Sequence, residues 1–127
     1  MHRIEYVDDF DGLLIHIDGE PSVEELLQIV EKAAAFNPSR ANIDTIYDLS
    51  KLDASVVTSD FLKSFVNQIP SETIGKRAGA NIAYVAQEPL TFGMAMVHQA
   101  LLANFPINTA VFHTVDEAKS WVLSRRD

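Results

Sequence analysis

The sequence predicts a single-domain α/β protein with a mixed, mostly parallel five-stranded sheet. Short apolar runs typical of strands alternate with amphipathic segments, which favours parallel strands joined by right-handed helical crossovers. Turn residues between the first two runs predict a β-hairpin, and therefore one antiparallel pair. The 127 residues contain no linker or repeat that would divide them, so we expect one domain over residues 1–127.

The hairpin and the first helix are predicted near the N-terminus. Arg3 to Val7 alternates polar and apolar residues and Leu13 to Ile17 is an apolar run, with turn residues between them. Ser22 and Glu25 have the spacing of a capping box, which predicts the start of the helix. Apolar residues at intervals of three and four then predict its buried stripe: Val23, Leu26, Leu27, Val30 and Ala34. The helix is expected to end near Asn37.

The next strand and helix are separated by a polar loop. Ile43 to Asp48 is predicted as the third strand, and Ser59 to Gln68 as the second helix, which Pro70 ends. The inner face of this helix is expected to carry Phe61, Leu62, Phe65, Val66 and Ile69. The segment SETIGKRAG that follows is polar and contains two glycines, which predicts a flexible linker before a fourth strand over Asn81 to Ala86.

Two helices flank the last predicted strand. Pro89 suits a first helical turn, and the helix that it begins is expected to reach about Asn104. Thr109 to His113 is the fifth strand, and a second capping box, Thr114 with Glu117, begins the last helix. This helix is expected to turn four residues inward: Val115, Ala118, Trp121 and Val122. The predicted order is therefore β-β-α-β-α-β-α-β-α.

Composition disfavours several classes of function. The net charge of −8 argues against nucleic acids and anionic membranes as partners, because both need a basic footprint. The chain has no cysteine, which removes disulfides and thiolate chemistry. No apolar run approaches the roughly 18 residues of a membrane span, and the first residues lack the apolar core of a secretory leader. We expect a cytoplasmic protein.

Acidic residues concentrate in the first part of the chain. Up to Glu31 there are nine acidic residues and one base, Arg3. This distribution is typical of a solvated face that aids solubility, and it also fits a docking face for a basic partner.

The sequence contains no recognisable set of catalytic or metal-binding residues. It lacks the G-x-S-x-G, P-loop, dinucleotide-binding and H-E-x-x-H patterns. The histidines are expected to be packed or surface residues: His2, His16, His98 and His113. We therefore predict no enzyme activity, no cofactor and no metal site. Lys76 and Arg77 on the predicted linker are an alternative, an anion-binding site.

The loop between the third strand and the second helix is the first candidate site. Asp48 ends a strand, and in an open α/β sheet ligands bind beyond the carboxyl ends of the strands. Thr58, Ser59 and Asp60 stand where the next helix begins. A hydroxyl group there is a candidate for phosphorylation or docking. The alternative is purely local, with Thr58 or Ser59 as N-cap and Asp60 beside the positive end of the helix.

The third predicted helix is the second candidate site. It lies in a stretch without charge between Glu88 and Asp116, and its apolar residues occur nearly all round. Five of them form the candidate partner or ligand surface: Leu90, Phe92, Met94, Met96 and Leu102. Either this helix is buried in the monomer, or it contacts a partner or an apolar ligand.

Three stretches, IYDLSKLD, ANIAYVAQEPLTFGMAMVHQAL and TAVFHTVDEAKSWVL, resemble the STAS-like (SpoIIAA-like) single-domain proteins of bacteria. The matching residues are Asp48-Leu49, Ala83 to Ala86, Phe92 to Ala95, Val111-Phe112, Glu117-Ala118 and Trp121. The resemblance implies a sheet wrapped as a β/α superhelix with helices largely on one face. It also implies a non-catalytic domain that docks on partners or holds small ligands.

The resemblance supports three functional hypotheses. The first is a regulatory domain that acts through protein contacts, as a homodimer or with another partner. The second is a carrier of a lipid or another small apolar molecule, with Phe92 and Met96 in its pocket. The third is a phospho-switch like that of anti-sigma-factor antagonists, whose D-S-S-G motif falls on Val57 to Asp60. Here the hydroxyl groups remain at Thr58 and Ser59, but valine replaces the aspartate and aspartate the glycine.

Overall fold

Five strands form one sheet, and they follow each other across it in chain order. In this computed structural model, which describes residues 1–36 and 42–126, they are β1 (His2–Val7), β2 (Gly12–Ile17), β3 (Thr45–Asp48), β4 (Asn81–Val85) and β5 (Asn108–Phe112). Strand β1 is antiparallel to β2, and the other neighbours are parallel. The mixed, mostly parallel sheet predicted from the sequence is confirmed.

The described helices are α1 (Val23–Ala35), α2 (Ser59–Gln68), α3 (Ser71–Lys76), α4 (Pro89–Leu101) and α5 (Val115–Arg125), with one 3₁₀ turn at Ala54–Val56. The predicted bounds of α2 are met at both ends, and α4 ends three residues before the predicted Asn104. The expected break near Asn37 lies outside the described residues.

Helix α1 has only half of its predicted capping box. The Ser22 hydroxyl accepts a hydrogen bond from the Glu25 backbone N–H at 3.1 Å. The Glu25 carboxylate lies 2.8 Å from Nδ1 of His2 and 3.1 Å from the N-terminal amine. The Glu25 carboxylate contacts these two groups instead of the backbone N–H of Ser22. Both contacts lower the pKa of Glu25, and the hydrogen bond with His2 is the largest cause. Helix α5 has the complete box between Thr114 and Glu117.

The predicted linker SETIGKRAG contains helix α3, and its description as flexible is wrong. Thr73 and Arg77 are buried, and Ile74 is half-buried. Local propensity is weak here because Gly75 disfavours a helix, so packing against the rest of the protein must supply the stability. That packing also corrects the anion-site alternative, since the Arg77 guanidinium points inward and donates to Thr45 Oγ1 at 2.7 Å.

The sheet separates two hydrophobic cores. Successive residues of a strand point to opposite faces, so in β3 Tyr47 belongs to one core and Ile46 to the other. Helices α1 and α4 pack on the Tyr47 face, whereas α5 packs on the Ile46 face through Ala118 and Val122. Helices therefore lie on both faces, with most of them on one.

The buried stripe of α1 differs from the predicted one. Ala34 is buried as expected, but Ile29 and Ala33 are buried although they were not predicted. Val23 and Leu27 are only half-buried. Two apolar stripes overlap on this helix, and contact with the sheet selects the one that contains Ile29.

Candidate functional site

A cavity of about 110 Å³ lies between the Tyr47 face of the sheet and helices α1 to α4. Most of its lining is aliphatic or aromatic, from the helices and from the strands beneath them. Representative residues are Ile29, Ala33, Leu62, Phe65, Ala95 and Ile82. A largely apolar cavity with a few polar groups is the usual form of a small-molecule site.

Five polar side chains contribute to the cavity wall: Tyr47, Thr73, Arg77, Tyr84 and His98. Tyr47 and Tyr84 are register partners on β3 and β4, and their rings stack with centroids 5.3 Å apart. The His98 ring meets Tyr84 edge to face at 5.3 Å and stacks on Phe65 at 5.8 Å. These ring contacts fix the orientation of the imidazole.

Burial controls the charge of these groups. It raises the pKa of Tyr47 and raises that of Tyr84 well above its ordinary value, so both phenols keep their protons at neutral pH. It lowers the pKa of Arg77, whose guanidinium is also attracted by Asp44. Burial lowers the pKa of His98 to about 4, so the imidazole is neutral at pH 7. The cavity therefore presents neutral hydrogen-bonding groups beside one buried cation.

Nδ1 of His98 is a buried polar atom beside the cavity. The residue is 9% exposed, and within residues 1–36 and 42–126 no group forms a hydrogen bond with this nitrogen. A buried polar atom without a partner typically costs about 1–3 kcal/mol. This nitrogen has almost no accessible surface, so it is enclosed by the protein and does not face the open space of the cavity.

Asp48 and the start of α2 do not share hydrogen-bond partners. Asp48 Oδ2 lies 3.0 Å from Nδ1 of His16, and its Oδ1 accepts from the Ser50 N–H at 3.0 Å. The Thr58 hydroxyl caps α2 by accepting from the Phe61 N–H at 3.1 Å. This geometry matches the local interpretation of Thr58, and Asp60 lies in the first turn of α2, where a negative charge stabilises it.

The contact between His16 and Asp48 was not predicted from the sequence. The parallel register of β2 and β3 pairs these residues, and both side chains are about four-fifths buried, at 20% and 17% exposed. Glu5 Oε2 lies 3.8 Å from Nε2 of His16. The signal was a polar residue near the end of each of two apolar strands, but only the register shows that they meet.

The candidate residues of α4 divide into three environments. Leu90 and Met96 are 62% and 48% exposed. Phe92 is half-buried and stacks on His113 with centroids 4.5 Å apart. Met94 and Leu102 contribute to the cavity wall. Phe92 and Met96, which the carrier hypothesis placed in a pocket, do not line this cavity.

An open groove beside α4 brings together residues from both candidate sites. Ser59 lines it with Leu90 and Met94, and Val97 and Leu62 complete its apolar wall. The sequence predicted the two sites separately because they are about thirty residues apart in the chain. Folding places the start of α2 against α4.

None of the helices described here is long and apolar enough to cross a membrane.

No family model and no curated protein matches the chain. A crystal structure of an uncharacterized protein from Shewanella loihica PV-4, assigned to the DUF3478 family and described as SpoIIAA-like in fold, is similar. The match covers 96% of this chain and 92% of that one, with a TM-score of 0.59 and 18% sequence identity. The chain therefore has a SpoIIAA-like fold.

Proposed function

We propose that the protein binds a small, largely apolar molecule in the cavity and carries or senses it without catalysis. The largely apolar cavity between the sheet and helices α1 to α4 carries this proposal. It favours the carrier hypothesis over the protein-contact hypothesis as the primary function.

The energetic cost of the cavity supports a binding role. Cavities destabilise proteins by roughly 24 cal/mol per Å³, so one of this size costs about 3 kcal/mol when nothing fills it. Native domains have only about 5–15 kcal/mol of stability in total. Filling the space with a larger side chain would be a simple way to recover that energy, and the alanines at positions 33 and 95 leave it open.

Replacing Ala95 by leucine is expected to weaken binding at least tenfold, because the added atoms occupy the cavity. The probe is fluorobenzene, followed by ¹⁹F NMR, together with native mass spectrometry for a molecule that co-purifies with the wild type. Ala100→Leu is the matched control, since Ala100 lies on the same helix, is exposed and does not line the cavity. The Ala100→Leu variant should bind fluorobenzene with the affinity of the wild type.

A second pair of variants covers the case in which Ala95→Leu does not fold. Ala33 lines the cavity from α1, and Ala35 on the same helix is exposed, so Ala33→Leu and Ala35→Leu repeat the comparison. If wild-type protein binds no fluorobenzene at millimolar concentration and carries no adduct, the proposal is wrong. Equal binding by the filled and control variants would also contradict it.

The exposed apolar residues of α4 favour self-association as a second candidate function. Leu90 and Val97 line the open groove, and Met96 is 48% exposed on the same helix. No charged residue occurs from Pro89 to Val115, so two copies can meet here without the repulsion expected elsewhere in a chain of net charge −8.

Light scattering after size exclusion is expected to give a dimer of the 14.1 kDa chain at micromolar concentration. Leu90→Lys should make it monomeric, because leucine 90 is the most exposed of these apolar side chains. Gln87→Lys, at an exposed position just before the helix, is the matched control and should remain dimeric. A monomeric wild type would remove this candidate.

A further inference from the structure

We infer that the cavity binds a carboxylic acid with an apolar body, and that its carboxylate meets the Arg77 guanidinium and the hydroxyl groups of Tyr47 and Tyr84. The inference rests on the proposed binding function and specifies the class of ligand. Three features of the cavity wall support it: two phenol groups without hydrogen bonds, a buried positive charge beside them, and the apolar lining around them.

The two phenol oxygens are available to a ligand. Within residues 1–36 and 42–126, neither Tyr47 nor Tyr84 uses its hydroxyl group in a hydrogen bond, and neither oxygen is among the fully enclosed atoms that lack a partner. Both oxygens therefore keep accessible surface, although each residue is more than nine-tenths buried. Since both residues line the cavity, that surface faces the cavity or its opening.

The Arg77 guanidinium lies beside these phenols. It donates to Thr45 Oγ1 at 2.7 Å, and Thr45 precedes Tyr47 by two residues on β3, so both side chains stand on the same face of the sheet. Burial raises the pKa of each phenol, and the positive charge of Arg77 opposes this effect at both of them. The charge and the two hydroxyl groups therefore belong to the same part of the cavity wall.

Asp44 attracts Arg77, but it is shared with another guanidinium. Its Oδ2 accepts from Nε of Arg126 at 2.8 Å, and its Oδ1 accepts from the Asn81 N–H. In this cluster of described residues, one carboxylate therefore stands against two positive charges. Because the cavity is mostly apolar, water screens the charge of Arg77 only weakly, and an anion that enters the cavity is attracted.

A monocarboxylate matches these groups. Its two oxygens only accept hydrogen bonds, whereas the guanidinium and the phenols can all donate. An amine would be repelled by Arg77, and a doubly charged phosphate would bring more charge into an apolar site than one guanidinium balances. The cavity is partly open, so its volume sets no upper limit on the apolar body, whether this is an alkyl chain or a ring.

The test compares 4-fluorobenzoate with 4-fluorobenzamide, a neutral molecule of nearly the same shape, by ¹⁹F NMR at neutral pH. Wild-type protein should bind the benzoate about tenfold more tightly, the ratio expected for one hydrogen bond to a charged group. In Arg77→Gln the guanidinium charge is lost, so this preference should disappear. Lys76→Gln is the matched control, since it removes a positive charge from the exposed neighbouring residue, and it should keep the preference.

A second pair of variants covers the case in which Arg77→Gln does not fold. Tyr84→Phe removes only the hydroxyl group and leaves the ring stacked on Tyr47. This variant should bind 4-fluorobenzoate about tenfold more weakly than the wild type and fluorobenzene equally well. Tyr6→Phe, the same change at an exposed position that does not line the cavity, should leave both affinities unchanged.

The outcomes separate the ligand class from the proposed function. If fluorobenzene binds but the wild type does not prefer the benzoate to the benzamide, the acid assignment is overturned and the cavity function stands. A Tyr84→Phe variant that binds 4-fluorobenzoate as tightly as the wild type would also overturn it, as would an equal loss of preference in Arg77→Gln and Lys76→Gln. If wild-type protein binds none of the three molecules and carries no adduct, the proposed function itself is wrong.

Discussion

Replacing Asp44 by alanine is expected to lower the free energy of unfolding by about 3–5 kcal/mol, the typical cost of breaking a buried charged pair. Asp44 is 5% exposed and lies between the strands and the last helix. Its Oδ1 accepts from the backbone and side-chain N–H groups of Asn81 at 2.9 and 3.2 Å. Its Oδ2 accepts from Nε of Arg126 at 2.8 Å.

The alanine variant would leave these donors without their acceptor. The Asn81 N–H groups are buried, and a buried donor that loses its partner costs more than the bond itself contributed. The charge of Arg77 would also lose the attraction of Asp44. Urea unfolding followed by circular dichroism gives the change in the free energy of unfolding.

Asp9 provides the matched control for this prediction. Asp9 pairs at 2.9 Å with Lys119, a base in α5, but its side chain is 60% exposed. Asp9→Ala should therefore cost no more than about 1 kcal/mol. Asp44→Asn keeps an acceptor for Asn81 and should fall between the two. An Asp44→Ala variant as stable as Asp9→Ala would contradict the role given to Asp44.

The protein is expected to lose about 2 kcal/mol of stability between pH 7 and pH 5 through His98 alone. The pKa of His98 is about 4 in the folded protein, against 6.5 in its ordinary state. Above pH 6.5 the imidazole is neutral in both states and the full stability is present. As the pH falls from 6.5 towards 4, the unfolded chain takes up a proton that the folded protein excludes. Stability therefore decreases with falling pH, and below pH 4 this contribution changes no further.

Urea unfolding at pH 7 and pH 5 measures this effect. His98→Phe cannot take up the proton, so its stability should decline by about 2 kcal/mol less than that of the wild type over the same interval. His113→Phe should decline as the wild type does. An identical pH dependence in His98→Phe and the wild type would show that the imidazole is not excluded from protonation in the folded state.

The elements of the fold were accessible from the sequence because their signals are local. Apolar periodicity marked every strand and four of the five described helices. The capping box at Thr114 predicted one helix start, and the structure selects Thr58 over Ser59 as the N-cap of α2. Helix α3 was missed because its six residues carry a glycine and few apolar side chains. Its stability comes from contacts that no local pattern reveals.

Only part of the candidate site could be predicted from the sequence. Of the five residues predicted on α4, Met94 and Leu102 line the cavity. His98 was interpreted as an ordinary packed or surface histidine, because a single histidine on an apolar helix has no signature of its own. The apolar surroundings of its Nδ1, and the cavity beside it, arise from residues on several distant elements.

The sequence by itself determined the fold class and the order of most elements along the chain, because periodicity and capping depend on neighbours in the chain. Only the tertiary structure decided which apolar residues enclose a cavity, which polar groups face it and which partner each charge receives. Four polar residues of the cavity wall come from separate segments of the chain: Tyr47, Arg77, Tyr84 and His98. They meet because the parallel strands β3 and β4 pair in register and bring their neighbouring elements onto one face of the sheet. Such juxtapositions depend on packing and burial, which short-range patterns do not encode.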